Sequence, residues 1–259
     1  MIGLAIPGLW ARTGWPPENT RRLVEAYNSR PLGRAGFRRV SVRLENDGQV
    51  TRTYSVVNVW APRDSGLATL YFLTEPIELR GTAYLQMERA NRDPDVHLFL
   101  PTAKRPVRIA AGLLSEGLLG SDFAYLDLMW MLPGSRRYSG LKGGDCDGAL
   151  ALHLSSDPGA PDDLQEKQQL YFSRDQPFLL GMDGSPIGRG ERRRFRVLGW
   201  RDISGTRTAS EMTMEAGASR RTRIALETVR LGLSAETATL LTPEQLPRIG
   251  RALDSGWPR

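Results

Sequence analysis

The sequence predicts a mainly β protein with a few helices (α+β), in which about eleven short strands form one curled antiparallel sheet. Three observations support this fold class. Short segments in which apolar and polar residues alternate recur along the chain, and this period of two is typical of strands with one buried face. Turn-forming sequences separate these segments. No shift in composition marks a domain boundary within the 259 residues, and a sheet of this size must curl or close to protect its edges.

The first predicted elements are a helix and a β-hairpin. Residues 16–28 are predicted to contain the first helix, because Pro16 and Pro17 precede it and Asn19 is suited to cap it. From Phe37 the apolar period changes to two, which predicts a strand with one solvated face. The Asn-Asp-Gly sequence at 46–48 predicts a tight turn, because Asp-Gly accepts the positive φ angles that such turns need. The return strand is expected over residues 50–60.

The remaining elements are further strands, two loops and two short helices. A helix is predicted with Ser121 as its N-cap and Asp122 in its first turn. Residues 133–148 and 156–166 are rich in Gly, Ser, Pro and charged residues and are predicted to be exposed loops. A last helix is expected after Thr242. The strand pattern recurs at 68–73, 82–88, 95–100, 106–110, 149–155, 168–174, 178–182, 193–202, 209–216, 221–226 and 228–233.

The residue inventory argues against an enzyme and against a metal or other cofactor. The single cysteine, Cys146, excludes an internal disulfide and a Cys-x-x-Cys site. His97 and His153 are the only histidines. Asp95 and His97 lie two residues apart, hence on one face of a strand, but the sequence nominates neither a further ligand nor a nucleophile for them.

Charge gives no indication of nucleic-acid binding. Lysine and arginine exceed aspartate and glutamate by 35 − 29 = +6. The basic residues are scattered along the chain, and a scattered excess usually belongs to a solvated surface. We therefore expect no nucleic-acid partner.

The chain ends are expected to flank one domain. The first 11 residues are apolar and match the length of the hydrophobic region of an export signal, although no basic residue precedes them. We expect residues 1–15 to be a flexible terminus or the remnant of a truncated signal peptide, residues 16–250 to form the domain, and residues 251–259 to be a tail.

Several segments, in order and spacing, resemble the outer-membrane lipoprotein-sorting protein family, the LolA/LolB-like periplasmic carriers of lipids and lipoproteins. The resemblance covers about residues 20–248 and implies an incomplete, strongly curved antiparallel β-barrel with a helical plug or lid. The hydrophobic interior of such a barrel receives acyl chains. The segments are Arg80-Gly81-Thr82-Ala83-Tyr84-Leu85, His97-Leu98-Phe99-Leu100-Pro101, Gly120-Ser121-Asp122-Phe123-Ala124-Tyr125-Leu126-Asp127-Leu128, Met212-Thr213-Met214 and the Leu-Thr-Pro-Glu-x-Leu sequence at 241–246.

The resemblance favours a cavity over an ordinary filled core at the alternating apolar positions. Arg105 and Arg108 are the candidates for contact with a lipid headgroup. The cavity is expected to be lined by Leu70, Phe72, Leu85, Met87, Leu98, Leu100, Ile109, Phe123, Met212 and Met214. Side chains expected on the concave side of the sheet are Val40, Val42, Leu85, Met87, Leu98 and Leu100. Side chains expected to face solvent are Arg39, Arg43, Glu88 and Asp95.

The function expected from these observations is that of a non-enzymatic periplasmic carrier in the Gram-negative envelope, which moves lipids or lipoproteins towards the outer membrane. Its partners would be acyl chains, an inner-membrane lipid exporter and an outer-membrane acceptor. Two alternatives stay open at this point. One is a regulatory lipid or lipoprotein sensor of envelope stress, and the other is a hydrolase that uses Asp95, His97 or His153.

Overall fold

Thirteen strands dominate the part of the chain that the computed structural model describes. The described residues are 15–29, 35–63, 66–89, 94–110, 113–114, 117–159, 167–185, 191–203, 206–233 and 239–249. One helix, α1 (Thr20–Asn28), precedes the strands. The strands are β1 (Gly36–Asn46), β2 (Gln49–Arg63), β3 (Gly66–Glu75), β4 (Ala83–Arg89), β5 (Asp95–Phe99), β6 (Pro106–Arg108), β7 (Arg136–Cys146), β8 (Ala149–Pro158), β9 (Lys167–Ser173), β10 (Leu179–Ser185), β11 (Arg193–Ile203), β12 (Thr206–Ala216) and β13 (Arg220–Leu231).

All thirteen strands belong to one antiparallel sheet with the order β6-β5-β4-β3-β2-β1-β13-β12-β11-β10-β9-β8-β7. All strands that follow one another in sequence pair, except β6 and β7, and β1 also pairs with β13, which joins the two halves. Within the described residues β6 and β7 are unpaired edges, so the sheet is an incomplete barrel. The predicted fold class is confirmed, with thirteen strands in place of about eleven.

The first helix and hairpin lie where the sequence predicts them. The side chain of Asn19 caps α1 by accepting a hydrogen bond from the backbone N of Arg22 at 3.0 Å. The tight turn between β1 and β2 contains Asp47 and Gly48, both with positive φ. Near the other end of the chain, a 3₁₀ turn over Pro243–Gln245 follows Thr242, at the predicted start of the last helix.

Two predictions about the strands are wrong. Residues 133–148 are not a loop, because β7 runs through them as an edge strand with only one neighbour. Such a strand needs few apolar side chains, which hid it from the alternation pattern. The two strands predicted at 221–226 and 228–233 are the single strand β13, in which Glu227 is left without a partner on β1 and breaks the alternation. In the second predicted loop, β8 continues to Pro158, and residues 160–166 lie outside the described residues.

The helix predicted at Ser121 is also wrong. Two 3₁₀ turns take its place, at Leu118–Gly120 and at Tyr125–Leu128. Asp122 lies between these two turns and not in a first helical turn. Its side chain accepts a hydrogen bond from Thr222 Oγ1 at 2.8 Å. We call residues 117–132, which contain both turns, the covering segment.

The sheet curves around one interior. Leu73 of β3 and Leu154 of β8 belong to the same contiguous apolar core, together with Phe123 of the covering segment. Seven strands separate β3 from β8 in the sheet order, so a flat sheet would place them roughly 38 Å apart at about 4.8 Å per strand. The face that carries this core is therefore concave, and we call the core the concave core.

The opposite, convex face is buried as well along β3, β4 and the second half of β2. Leu70 and Leu85 form a second core there with residues near the end of the described chain, namely Leu241, Leu246 and Ile249. All five are at most 1% exposed. This half of the sheet therefore lies between two layers, the covering segment on the concave side and residues 239–249 on the convex side.

Burial on both faces makes part of the predicted register wrong. Leu85 pairs with His97, whereas Leu98 pairs with Tyr84. Because directly opposite residues project to the same face, Leu85 and Leu98 point to opposite faces of the sheet. Met87 shares the convex face with Leu85.

The other expected side-chain directions are mostly confirmed. Val40, Val42 and Leu98 pack in or against the concave core. Arg39 and Arg43 are exposed as predicted. Asp95 is half-buried on the convex face and paired with Arg108, and Leu100 follows the end of β5 and is 39% exposed, so neither fits its prediction.

Glu88, predicted to face solvent, is only 1% exposed. It projects from β4 to the concave face, where its Oε2 accepts hydrogen bonds from the backbone N of Trp130 and of Met131, both at 2.8 Å. The covering segment is irregular, so its buried amides need acceptors from elsewhere. Glu88 supplies one at the point where the covering segment meets β4.

The convex layer generates a first prediction. We expect Leu246→Ala to lower the free energy of unfolding by about 2–5 kcal/mol, because it removes a fully buried side chain and leaves a cavity. Urea unfolding followed by circular dichroism measures the loss. Leu246→Met should cost less than about 1.5 kcal/mol, and Leu113→Ala, at a side chain that is 52% exposed, should cost little. Equal, small losses in all three variants would contradict the buried convex layer.

Glu88 generates a second prediction. Glu88→Ala should lower the free energy of unfolding by about 2–4 kcal/mol, because two buried amides lose a charged acceptor. Glu88→Gln keeps an acceptor oxygen and should lose clearly less. The surface control Glu78→Ala should change stability by less than about 0.5 kcal/mol in the same urea titration. A Glu88→Ala variant as stable as this control would show that the carboxylate does not hold the covering segment.

Candidate functional site

The concave core forms the largest continuous apolar surface of the described chain and is the candidate binding site. It draws side chains from both halves of the sheet. At one end α1 closes it, where Tyr27 packs edge-on against Phe172 with ring centroids 5.0 Å apart. Trp15 packs on the other side of Phe172, and its indole N donates to the backbone O of Ser173 at 3.1 Å. The sheet contributes Val40, Leu44, Tyr54, Val56, Tyr71, Leu73, Tyr84, Leu152, Leu154, Leu170, Phe172, Met182, Met214, Ile224 and Leu226.

The covering segment lies on this surface and fills part of it. Phe123, which is 3% exposed, packs edge-on against Phe195 of β11 with ring centroids 6.0 Å apart. Two tyrosines of the sheet donate to its backbone: Tyr54 Oη to the O of Leu119, and Tyr71 Oη to the O of Leu128, both at 3.1 Å. The covering segment is therefore held partly by apolar packing and partly by hydrogen bonds to its irregular backbone.

An ion pair anchors the middle of the covering segment. Asp127 accepts hydrogen bonds from both terminal nitrogens of Arg193 on β11. The Asp127 side chain is 7% exposed and that of Arg193 is 19% exposed. Asp127 Oδ2 also accepts from the backbone N of Ala124 at 2.7 Å and so shapes the local turn. Nearby, burial raises the pKa of Asp122, although Thr222 and Arg220 contact its carboxylate.

Beside the apolar surface, a row of polar side chains crosses β2, β3 and β4 on the concave face. Trp60 lies opposite Thr69, and Thr69 lies opposite Gln86. All three are 3% exposed or less. Trp60 Nε1, Thr69 Oγ1 and Gln86 Nε2 have no hydrogen-bond partner among the described protein atoms. We call these three residues the polar row.

Aromatic and cationic groups surround the polar row. Trp130 of the covering segment lies against Trp60 with ring centroids 5.4 Å apart. The guanidinium of Arg38 sits 5.3 Å from the centre of the Trp130 ring and donates to Asn58 Oδ1 at 2.8 Å. Burial raises the pKa of Tyr71 to about 12, so its hydroxyl is a donor across the physiological range.

The residues predicted to line a cavity do not share one surface. Phe123, Met214, and the half-buried Leu98 and Met212 belong to or pack against the concave core. Ile109 is half-buried just after β6. The residues that face the convex side are Leu70, Phe72, Leu85 and Met87. The headgroup candidates Arg105 and Arg108 are both exposed, and Arg108 pairs with Asp95.

The acid–base candidates of the sequence are not brought together. Asp95 and His97 share the convex face of β5, whereas His153 lies on β8 in the other half of the sheet. Burial lowers the pKa of His97, and His153 Nε2 lies 2.8 Å from the backbone O of Asp145. Across the described ranges, no group of three or more His, Cys, Asp or Glu side chains is placed to hold a metal ion. The geometry thus assembles no catalytic constellation from these residues.

Sequence reasoning missed the polar groups of the concave face. Glu88, Asp127 and Arg193 hold the covering segment, and the polar row contributes no charge or motif that the sequence would single out. One usable signal was present, since Thr69, Gln86 and Glu88 are polar residues on strands whose neighbours are nearly all apolar.

Among the described residues, no helix has the length and the hydrophobicity that a membrane-spanning helix requires.

Comparison with known proteins supports the fold. No curated protein sequence matches the chain significantly. A domain assigned to outer-membrane lipoprotein sorting from Vibrio parahaemolyticus has a TM-score of 0.78 and 20% identity, over 88% of this chain and 98% of that one. A DUF1329 family protein from Desulfovibrio piger has a TM-score of 0.73 and 18% identity, over 86% and 96%. A LolA superfamily protein from Nitrosomonas europaea has a TM-score of 0.66 and 16% identity, over 87% and 98%.

These structures confirm the resemblance to LolA/LolB-like proteins at the level of the fold. A family model described as "Uncharacterized protein" matches residues 66–247, which is more than half of the chain. The chain therefore belongs to this family of uncharacterized proteins, and its fold is that of the outer-membrane lipoprotein-sorting and LolA superfamily proteins.

Proposed function

We propose that this protein is a non-enzymatic periplasmic carrier that binds acyl chains of lipids or lipoproteins on the concave face of its sheet and transfers them towards the outer membrane. The observation that carries the proposal is the concave core, one apolar surface that continues across both halves of the sheet. The similar domain from Vibrio parahaemolyticus is assigned to outer-membrane lipoprotein sorting, and we propose the same activity for this chain.

The energetics of acyl chains require such a surface. Each buried methylene contributes ~0.8 kcal/mol, so a chain of about fifteen carbons represents on the order of 12 kcal/mol. A carrier must offer comparable apolar cover while the chain is in transit, or any membrane will take it. Met212 and Met214 suit this role because flexible thioethers adapt to chains of different shape.

Access to the concave face requires the covering segment to move. Phe123 occupies part of the apolar surface, and an acyl chain that replaces it makes contacts of the same kind. The covering segment contains only two short 3₁₀ turns, so its displacement breaks few internal backbone hydrogen bonds. Its main polar anchors are the Asp127–Arg193 ion pair and the two amides held by Glu88. We propose that loading exchanges the contacts of Phe123 for those of the acyl chain.

The exposed end of the site has groups suited to a lipid headgroup. Arg105 lies in the turn between β5 and β6 and is exposed, next to a strand that carries Leu98 on its concave face. We propose that Arg105 contacts a phosphate at this end of the site, whereas Arg108, which pairs with Asp95 and lies opposite His97, projects to the convex face. An inner-membrane exporter would supply the lipid, and an acceptor at the outer membrane would receive it.

A charge on the concave face tests the proposed function. We expect Met212→Glu to weaken binding of a fluorescent fatty acid at least ten-fold, because a carboxylate among buried apolar groups disfavours an acyl chain. Titration of wild type and variant at matched folded fraction measures the effect. Leu198→Glu adds the same charge at a side chain that is 53% exposed, and Met212→Leu preserves an apolar surface. Both controls should bind within two-fold of wild type, whereas equal binding by Met212→Glu would place the acyl chain elsewhere.

The anchor of the covering segment gives a second test. Asp127→Asn removes the charge that pairs with Arg193 but leaves an oxygen for the backbone N of Ala124. We expect it to raise fatty-acid affinity about five-fold or more, because it destabilises the covered state relative to the loaded state. Asp157→Asn, which loses a 3.8 Å surface pair with Lys167, is the matched control and should leave affinity unchanged. A drop in affinity for Asp127→Asn would mean that the ion pair persists in the loaded state.

A further inference from the structure

We infer that the polar row is a binding site for the carbonyl oxygens of ester- or amide-linked acyl groups, so that this protein selects acylated lipids and lipoproteins over lipids that lack a carbonyl. The inference rests on the proposed carrier function and assigns the chemical class of its ligand. It is carried by Trp60 Nε1, Thr69 Oγ1 and Gln86 Nε2, three buried polar atoms without a protein partner in the described ranges.

The three side chains form one continuous feature of the sheet. Trp60, Thr69 and Gln86 lie directly opposite one another on β2, β3 and β4, so they project to the same concave face. Two strand spacings of about 4.8 Å separate the first from the last, which gives the row a length of roughly 10 Å. That length accommodates more than one carbonyl group of a single lipid.

Without a ligand, the unpaired donors of the polar row lower the stability of the folded protein. A buried donor without a partner costs about 1–3 kcal/mol, and native structures keep such groups few. A neighbouring polar side chain on the same face, Asn58, has hydrogen-bond partners within the protein. It donates to the backbone O of Leu70 at 3.0 Å and accepts from Arg38 at 2.8 Å. The contrast with the polar row points to hydrogen bonds that are completed by a ligand.

The donor types define what that ligand presents. An indole N–H and an amide NH₂ can only donate, and a threonine hydroxyl can donate as well, so the row binds an acceptor. Glu88 lies two residues beyond Gln86 on the same face of β4. Because the Arg38 guanidinium lies near the other end of the row, beside Trp130, the two charges offset each other, and the row has no net positive charge to hold a carboxylate or a phosphate. A neutral acceptor is favoured, and the carbonyl of an ester or amide is the neutral acceptor found where an acyl chain joins the rest of a lipid or lipoprotein.

The position of the row fits a molecule with an acyl chain on one side. Along β3 the concave side chains run from Thr69 to Tyr71 and Leu73, and along β4 they run from Gln86 to Tyr84. Tyr71, Leu73 and Tyr84 belong to the concave core. A carbonyl bound in the row thus leaves its acyl chain on the apolar surface. Trp130, which covers Trp60, belongs to the covering segment that the proposed loading step displaces.

The test compares two ligands that differ only in the carbonyl. Purified full-length protein is loaded with the fluorescent fatty acid cis-parinaric acid, and displacement is titrated with 1,2-dipalmitoylglycerol or with its 1,2-dihexadecyl ether analogue. We expect the ester to compete at least ten-fold better than the ether, as two added hydrogen bonds would give. If ester and ether compete equally, the inference is overturned while the carrier function stands. If the protein binds neither competitor nor the probe, the carrier function itself fails.

Conservative variants then assign the effect to the row. Thr69→Val and Gln86→Met keep the side-chain volume but remove a donor, so each should cut the ester advantage about five-fold and leave ether affinity unchanged. Neither should lower thermal stability appreciably, because each removes a group that has no partner in the protein. Thr228→Val, at an exposed threonine on β13, is the matched control. An undiminished ester preference in both row variants would overturn the assignment to these residues.

Discussion

The constraint on which the rest of this structure depends is that β3, β4 and the second half of β2 are buried on both faces. A strand in this half of the sheet needs an apolar cover on its convex side and another on its concave side. Leu241, Leu246 and Ile249 supply the first, and the covering segment supplies the second. The other half of the sheet differs, because its convex face carries ion pairs such as those of Arg196 with Asp147 and Asp183. Only on the concave face does one apolar core continue across both halves of the sheet.

The irregularity of the covering segment explains the polar groups found inside. Two 3₁₀ turns leave most of its amides and carbonyls without partners in the segment itself, and buried backbone groups must be paired. Glu88 accepts from two of these amides, and Tyr54 and Tyr71 donate to two carbonyls. A regular helix would have satisfied its own backbone and would need none of these side chains. The same arrangement attaches the covering segment to the sheet through a small number of separate hydrogen bonds, which is compatible with the displacement that the proposed function requires.

The fold class could be predicted from the sequence, whereas the face of the sheet to which each side chain projects could not. Alternation located most strands, and the hairpin turn at Asp47 and Gly48 came from turn chemistry alone. Alternation cannot tell which face of a strand is concave when both faces are buried, and this is why Leu85 and Leu98 fell on opposite sides. Glu88 was assigned to solvent because a lone carboxylate usually is exposed, and only the distant amides of Trp130 and Met131 reverse that expectation. Tertiary pairing of this kind leaves no local trace in the sequence.

The proposed carrier function requires a ligand-free, covered state that is folded and stable. It also requires that this covered state is not so stable that a lipid cannot displace the covering segment. The concave core supplies the stability of the covered state, in which Phe123 and the aromatic residues around it are buried. The polar row adds a free-energy cost to the covered state, because Trp60, Thr69 and Gln86 are buried there with donors that have no hydrogen-bond partner among the described residues. A carbonyl that pairs them relieves that cost only in the loaded state. Under the proposed carrier function, these hydrogen bonds stabilise the loaded state at a few atoms, and an acceptor must offer the lipid slightly more favourable contacts than the carrier does.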